Sequence, residues 1–310
     1  MSVKSDVGPV RGDAPLPAPD GKKPRRPRGA MNHALGARTT MGKVLTVVAI
    51  VALLLFTLLP VVMMVGTAFD AKSDDGSHNL FPTELTLEHF QFVLDEGGFT
   101  TYLRNSLIVG IGTVLISGLL ALFAAVAVAR FRFRLRTSVL VMVLIVQMVP
   151  LEALVIPMFI QARHLGLLNQ LFGLVVVYVA FSLGFAIWML RGFVAAVPAE
   201  IEEAAYVDGA SWWRMFRSVL LPLVAPGLVA TSIFSFITAW NEFIFAITFM
   251  SDDSKYTAAA GLRSFFGRFG DNDWGAVMAG STLITVPVMI FFIFVQRRLA
   301  EGLVSGAVKG

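Results

Sequence analysis

The sequence predicts an all-α, polytopic membrane protein with six transmembrane helices, and three observations carry that prediction. Of the 310 residues 56% are hydrophobic, with a mean hydropathy of +0.74, which is too apolar for an ordinary soluble domain. Six separate apolar stretches reach the roughly 20 residues that, at about 1.5 Å of rise each, cross about 30 Å of hydrocarbon. Lysine and arginine crowd into alternate connections between those stretches, as membrane topology requires. The net charge of +4 does not indicate nucleic acid, because the basic residues flank apolar runs without interleaved stacking aromatics. Cysteine is absent, which excludes disulfides and thiol chemistry. His33, His78, His89 and His164 are scattered without metal-ligand spacing, so no metal site is expected.

Residues 1–42 are rich in Pro, Gly, Lys and Arg (GKKPRRPRG at 21–29) and lack apolar periodicity, so a disordered basic tail is expected. The first apolar run is too long for a signal peptide and no small-residue cleavage site follows it, which favours an uncleaved span. The segment GARTTMGKV at 36–44 falls short of a phosphate-binding loop: its first Gly is one position out, Val44 replaces Ser or Thr, and no strand precedes it. No nucleotide site is expected in this chain. The predicted spans are residues 44–69, 105–129, 139–160, 171–190, 219–250 and 274–295. The fifth is long enough for Pro222 and Pro226 to place its first turns in the interface or at a kink.

One set of connections holds the basic tail, Arg130, Arg132, Arg134, Arg136, Arg191, Arg214, Arg217, Arg297, Arg298 and Lys309. The other set holds fewer cations, Lys72 and Lys255 among them, diluted by acids such as Asp70, Glu84, Asp252 and Asp273. The basic side is predicted to be cytoplasmic, together with both termini.

Small residues recur at four-residue spacing, Ser117, Ala121 and Ala125 in the second span and Ala180 and Gly184 in the fourth, as ridges for close helix packing. Two acids fall inside spans. A charge at the bilayer centre costs roughly 2.5–3.5 kcal/mol, so Glu152 and Glu242 are expected to face protein or water. Glu152 lies between Pro150 and Pro157, which loosen the helix. At about 100° per residue, Thr231, Ser235, Thr238 and Glu242 fall on one face of the fifth span, with Asn241 at its margin. That stripe fits either a translocation path or a helix interface joined by hydroxyls. Ser281, Thr282, Thr285 and Pro287 give a weaker hint of the same kind in the sixth span.

Between the fourth and fifth spans lies EIEEAAYVDGASWWRMFRSVLLPLVAP, residues 200–226. It predicts a short helix, a turn at Asp208-Gly209 and a second short helix. Pro198 suits the first turn, Glu200, Glu202 and Glu203 suit the positive end of the helix dipole, and Ser211 suits an N-cap. Ala204 and Ala205 leave room for a partner's backbone or groove, and Trp212, Trp213 and Phe216 suit the membrane interface. These residues fit either a docking hairpin or an amphipathic connector lying on the bilayer.

Glu203-Ala204-Ala205, Gly209 and Leu221-Pro222 resemble the EAA signature of permease subunits in ABC importers, with Val219 where that pattern has Ile, and Asp208 joins them as an expected ATPase-coupling residue. The ending GLVSGAVKG at 302–310 is similar to that of the second permease of maltose-type carbohydrate importers, as are Ala239–Phe243, Pro150 with Pro157, and Leu165–Asn169. The resemblance covers about Tyr102 to the C-terminus. It implies a type I ABC importer permease fold: residues 1–42 as tail, 43–101 as first helix and external loop, 102–297 as the core with a coupling helix at 198–217, and 298–310 as cytoplasmic tail. It implies a sugar or sugar-like solute, a second homologous permease, an external solute-binding protein and a dimer of ATPase subunits that binds ATP and Mg, while this chain binds no cofactor and catalyses nothing itself. Glu203 would be a charged ATPase contact, Gly209 the turn, and Gly306, Ala307, Val308, Lys309 and Gly310 a further ATPase-contacting tail. The rival reading is a self-sufficient secondary carrier or channel using Glu152 and Glu242, which leaves the EAA-like loop without a task. An intramembrane enzyme lacks any catalytic pairing, since no His lies in a span.

Overall fold

A computed structural model describes residues 40–73, 82–266 and 273–307. The chain forms two compact units, Met1–Thr57 and Leu58–Gly310. In the first, the described residues are one apolar helix whose side chains, Leu45, Leu53 and Phe56 among them, are exposed on every face. A helix apolar all round belongs in lipid or against other protein. This is the start of α1 (Thr40–Ala68), so Thr40–Gly42, expected to be tail, are helical. Residues 1–39 lie outside the described part.

In the second unit α2 (Glu88–Gln91) runs through a π turn at Phe92–Glu96 towards α3 (Phe99–Arg130). There follow α4 (Arg136–Gln147), a 3₁₀ turn at Leu151–Leu154, α5 (Val155–His164) and α6 (Leu171–Ala196). Next come α7 (Ala199–Val207), α8 (Trp212–Met215), a π turn at Phe216–Leu220, α9 (Leu221–Asn241) and α10 (Ile244–Phe249). The short α11 (Ala258–Gly261) and the long α12 (Trp274–Ala307) complete the order. Among the described residues the only β feature is an isolated bridge between Asp70 and Leu85.

The third span is not the straight helix expected over residues 139–160. Among the described residues five helices are long and apolar enough to cross a membrane, and α4 with the following Leu151–His164 makes a sixth only as a pair bent by 93°. Pro150 is the cause: it has no amide to donate, and its ring disfavours helical backbone at Val149. Pro157 is tolerated because it sits in the first turn of α5.

Hydrogen bonds fix the sidedness of this bent pair. Near the start of α3, the Asn105 side chain donates to the carbonyls of Ser254 and Tyr256 at 2.9 and 3.0 Å. Just before α6, Asn169 donates its amide to Phe249 O at 2.9 Å and accepts from Lys255 Nζ at 2.8 Å. The starts of α3 and α6 therefore share one end of the molecule with the 249–258 segment. At the other end Arg130, the last residue of α3, donates to Val197 O just past α6, at 2.8 Å. Helices α3 and α6 run parallel, so residues 131–170 must return across the membrane. The bent pair is a crossing, not a re-entrant loop.

The core is the packing of α3 on α6, with α9 against both and α12 on α9. Ser117, Ala121 and Ala125 are buried, the expected small-residue ridge, and Gly184 lets the Gln147 side chain of α4 lie against α6. In the 249–258 segment, hydrogen bonds from the Ser254 side chain and amide hold the Asp252 carboxyl below the ordinary carboxylate range.

Candidate functional site

Val197 and Pro198 are extended (ψ 122° and 135°) and turn the chain from α6 into α7. Pro198 is the N-cap, one position earlier than the expected first turn, and Glu200 and Glu202 occupy that turn near the helix's positive end. The helix closes on Gly209 at φ +80°, where Ala210 N donates to Ala205 O and Gly209 N to Tyr206 O, each at 3.0 Å. This is a Schellman motif, and its left-handed residue suits glycine. Ser211 caps the next helix, accepting from Arg214 N at 3.4 Å.

The second short helix does not stand apart. From Trp212 to Asn241 the chain is one 30-residue apolar helix, with the π turn at Phe216–Leu220 inside it. No glycine or proline interrupts the ladder before Pro222, and Met215, Phe216 and Leu220 bury one continuous face. Phe216 is therefore not an interfacial anchor; it is buried and stacks on Trp212 (5.4 Å) and on Phe123 of α3 (5.5 Å). Trp212 and Trp213 remain exposed.

Spacing of three and four places Glu200, Glu203, Ala204 and Val207 on one face of α7. All are exposed, Val207 by 88%. Asp208 and Gly209 are exposed, Ala205 is half-buried, Leu221 is half-buried and Pro222 is exposed. Glu202 is the one buried residue of α7. Its Oε1 accepts from Arg130 Nε at 2.7 Å and lies 2.6 Å from Arg130 Nη2, which also donates to Val197 O. In the sequence Arg130 carries weight for topology alone. Nothing local in the sequence pairs it with Glu202, one of three acids in α7.

The residues considered for a translocation path separate. Thr231 and Ser235 are buried, and Ser117 Oγ of α3 donates to Ser235 Oγ at 3.3 Å. Thr238 is half-buried and Asn241 exposed. Glu242 does not continue the stripe, because the helix ends at Asn241 and Glu242 is extended (ψ 129°). It is nonetheless buried, at 9% exposure. Its carboxylate accepts from Tyr178 Oη at 2.5 Å, from Phe245 N at 2.9 Å and from Ala246 N at 3.2 Å. Glu242 thus supplies the first amides of α10 with a partner that a broken helix would otherwise lack. The predicted fifth span, 219–250, is accordingly broken at 241–242. Nothing in the sequence singled out Tyr178. Glu152 lies in the 3₁₀ turn of the bent pair and is exposed on this chain.

At the C-terminus, Gly306 and Ala307 continue the α12 helix, so the expected tail is helical through Ala307. Val308, Lys309 and Gly310 lie outside the described residues.

The model of the binding-protein-dependent transport system inner membrane component family matches residues 117–305. The diacetylchitobiose uptake system permease protein DasC of Streptomyces coelicolor is 43% identical over 275 residues, covering 88% of this chain and 99% of the relative. The trehalose transport system permease protein SugB of Mycobacterium tuberculosis is 34% identical over 256 residues, covering 82% of this chain and 93% of the relative. In fold, a chain of a bacterial ABC transporter involved in the import of the acidic polysaccharide alginate superposes with a TM-score of 0.72 at 22% identity, covering 84% of this chain and 98% of that one. The helices and the family match agree, and the chain belongs to the inner-membrane components of binding-protein-dependent transport systems, the permeases of ABC importers.

Proposed function

We propose that this chain is one of two homologous permeases of an ATP-driven importer and carries a sugar inward from an external solute-binding protein. The exposed face of α7, with Glu203, Ala204 and Val207 in a row beside Asp208, is the observation that carries the reading. It presents small and apolar side chains ringed by acids to a partner, and nothing in the described chain covers it. The partner is an ATPase dimer that binds and hydrolyses Mg·ATP; this chain binds no nucleotide. Gly306 and Ala307, which close α12, and the residues Val308, Lys309 and Gly310 that follow in sequence form a second contact with the ATPase. The positive charge of arginines 130, 132, 134, 136, 191, 214 and 217 supports a cytoplasmic position for α7 and both termini. Diacetylchitobiose and trehalose, named for two relatives, point to a di- or oligosaccharide as solute.

Tagged wild-type chain purified from native membranes is expected to bring down an ATPase and a second permease, and Glu203→Lys to lose at least nine-tenths of the ATPase while keeping the permease. Wild-type chain that arrives alone and still moves solute in vesicles would overturn the reading in favour of a self-sufficient carrier.

Of the stripe in α9, the path-lining part is Thr238 and Asn241, which reach the chain's surface. The chain has no cysteine, so single introduced thiols report without background. A water-soluble maleimide is expected to label Thr238→Cys and Asn241→Cys at least tenfold faster than Thr231→Cys and Ser235→Cys. Equal protection at all four positions would count against a water-filled path along this face.

A further inference from the structure

We infer that Arg130 is a positioning residue that locks α7 to the membrane core, so that a displacement of α7 carries α3 and α6 with it. The inference rests on the proposed docking role of α7 and specifies how that docking is transmitted. Every side chain of α7 except Glu202 is at least partly exposed, and its apolar link to the core is slight: Ala205, with Ala210 just beyond, touches the cluster that includes Leu190, Phe216 and Leu220. Methyl contacts of that kind slide. The guanidinium of Arg130 does not, because its planar fork fixes distance and angle together.

Three elements meet at that one group. Arg130 closes α3, Val197 O is the carbonyl just after α6, and Glu202 belongs to α7, with bonds of 2.7 Å to Glu202 and 2.8 Å to Val197. The side chains of Arg130 and Glu202 are only 20% and 11% exposed, so water and salt screen the pair weakly. Helices α3 and α6 form the principal packing of the fold, and what moves their common end moves both. A charge as the one buried residue of an otherwise exposed helix is costly for simple attachment, where a leucine would serve. It gains a defined geometry, which a moving part needs.

Spin labels at Tyr206→Cys on α7 and Leu119→Cys on α3, both exposed positions, measure the attachment in the native complex. Wild type is expected to give one narrow distance distribution. Arg130→Gln and Glu202→Gln are expected to widen it at least twofold while the chain stays monodisperse and ATPase recovery stays within twofold. Arg130→Lys, which keeps the charge and loses the fork, is expected to be intermediate, and the exchange Arg130→Glu with Glu202→Arg to narrow the distribution again. An unchanged width in Arg130→Gln overturns the inference. So does loss of ATPase recovery in the single variants that the exchange does not restore, which would make the pair a folding determinant. A narrow wild-type distribution with no ATPase recovered would instead sink the docking reading, and the transmission role with it.

Discussion

Glu242→Leu is expected to lower stability by about 3–5 kcal/mol. The carboxylate has three protein donors, Tyr178 Oη and the amides of Phe245 and Ala246. Leucine fills the space and accepts from none of them. Each buried donor left without a partner costs about 1–3 kcal/mol, and the two amides have no alternative because α9 has already ended. Glu242→Gln keeps one carbonyl acceptor and is expected to cost about 1–2 kcal/mol; Tyr178→Phe, which removes a single bond, about 1 kcal/mol. Thermal unfolding of the detergent-purified chain gives the order directly. Equal midpoints for Glu242→Leu and wild type would show that the carboxylate does not hold the break. Uptake separates this role from proton transfer: an anchoring Glu242 tolerates glutamine, whereas a proton-carrying one does not.

Gly209→Val is expected to remove at least nine-tenths of the co-purifying ATPase with little change in the thermal midpoint. At φ +80° the position is left-handed, and a side chain there costs about 1–2 kcal/mol. A Cβ on Gly209 meets open space, so the penalty is conformational and falls on the turn alone. The chain relieves it by opening the Schellman motif, which releases the end of α7 where Val207 and Asp208 stand. Gly166 provides the control. It sits at φ +68° after α5, with Leu167 N donating to Ala162 O at 2.8 Å and Gly166 N to Arg163 O at 3.2 Å, and a Cβ there also meets open space. Gly166→Val carries the same backbone strain at the opposite end of the molecule and is expected to leave ATPase recovery within twofold. Equal losses in both variants would mean that general destabilisation, not the shape of α7, governs recovery.

Long apolar periodicity is a local property, and the helices around Val109, Leu174 and Val277 could be read from residue type alone. The turn at Asp208-Gly209 and the cap at Ser211 were equally readable, because each is decided by one or two residues. What could not be read were the breaks. The alternation that made Glu242 look like the next step of the Thr231–Ser235–Thr238 face assumes an unbroken helix. The helix ends one residue earlier, and the carboxylate meets Tyr178, 64 positions away. The pairing of Arg130 with Glu202 spans 72 positions and has no local signature at all. Pro150 announced a weakness in the third span, but the size of the bend depends on how α4 and α5 find separate packing partners, α6 for the first and α10 for the second.

That bent crossing has a consequence for what surrounds the protein. Helix α4 has 12 residues, about 18 Å of rise, and cannot bridge the hydrocarbon alone. Between Gln147 and Val155 the backbone therefore passes through the membrane without a continuous ladder: Val146 O, which Pro150 cannot serve, takes Val149 N at 3.2 Å, and the polar groups of the break lie outside the α-helical pattern. Acyl chains cannot solvate such groups. Met148 and Glu152 are nevertheless exposed on the isolated chain. In the bilayer that stretch must look onto water or another polypeptide, so the elbow of the third crossing marks the side of the molecule from which lipid is shut out.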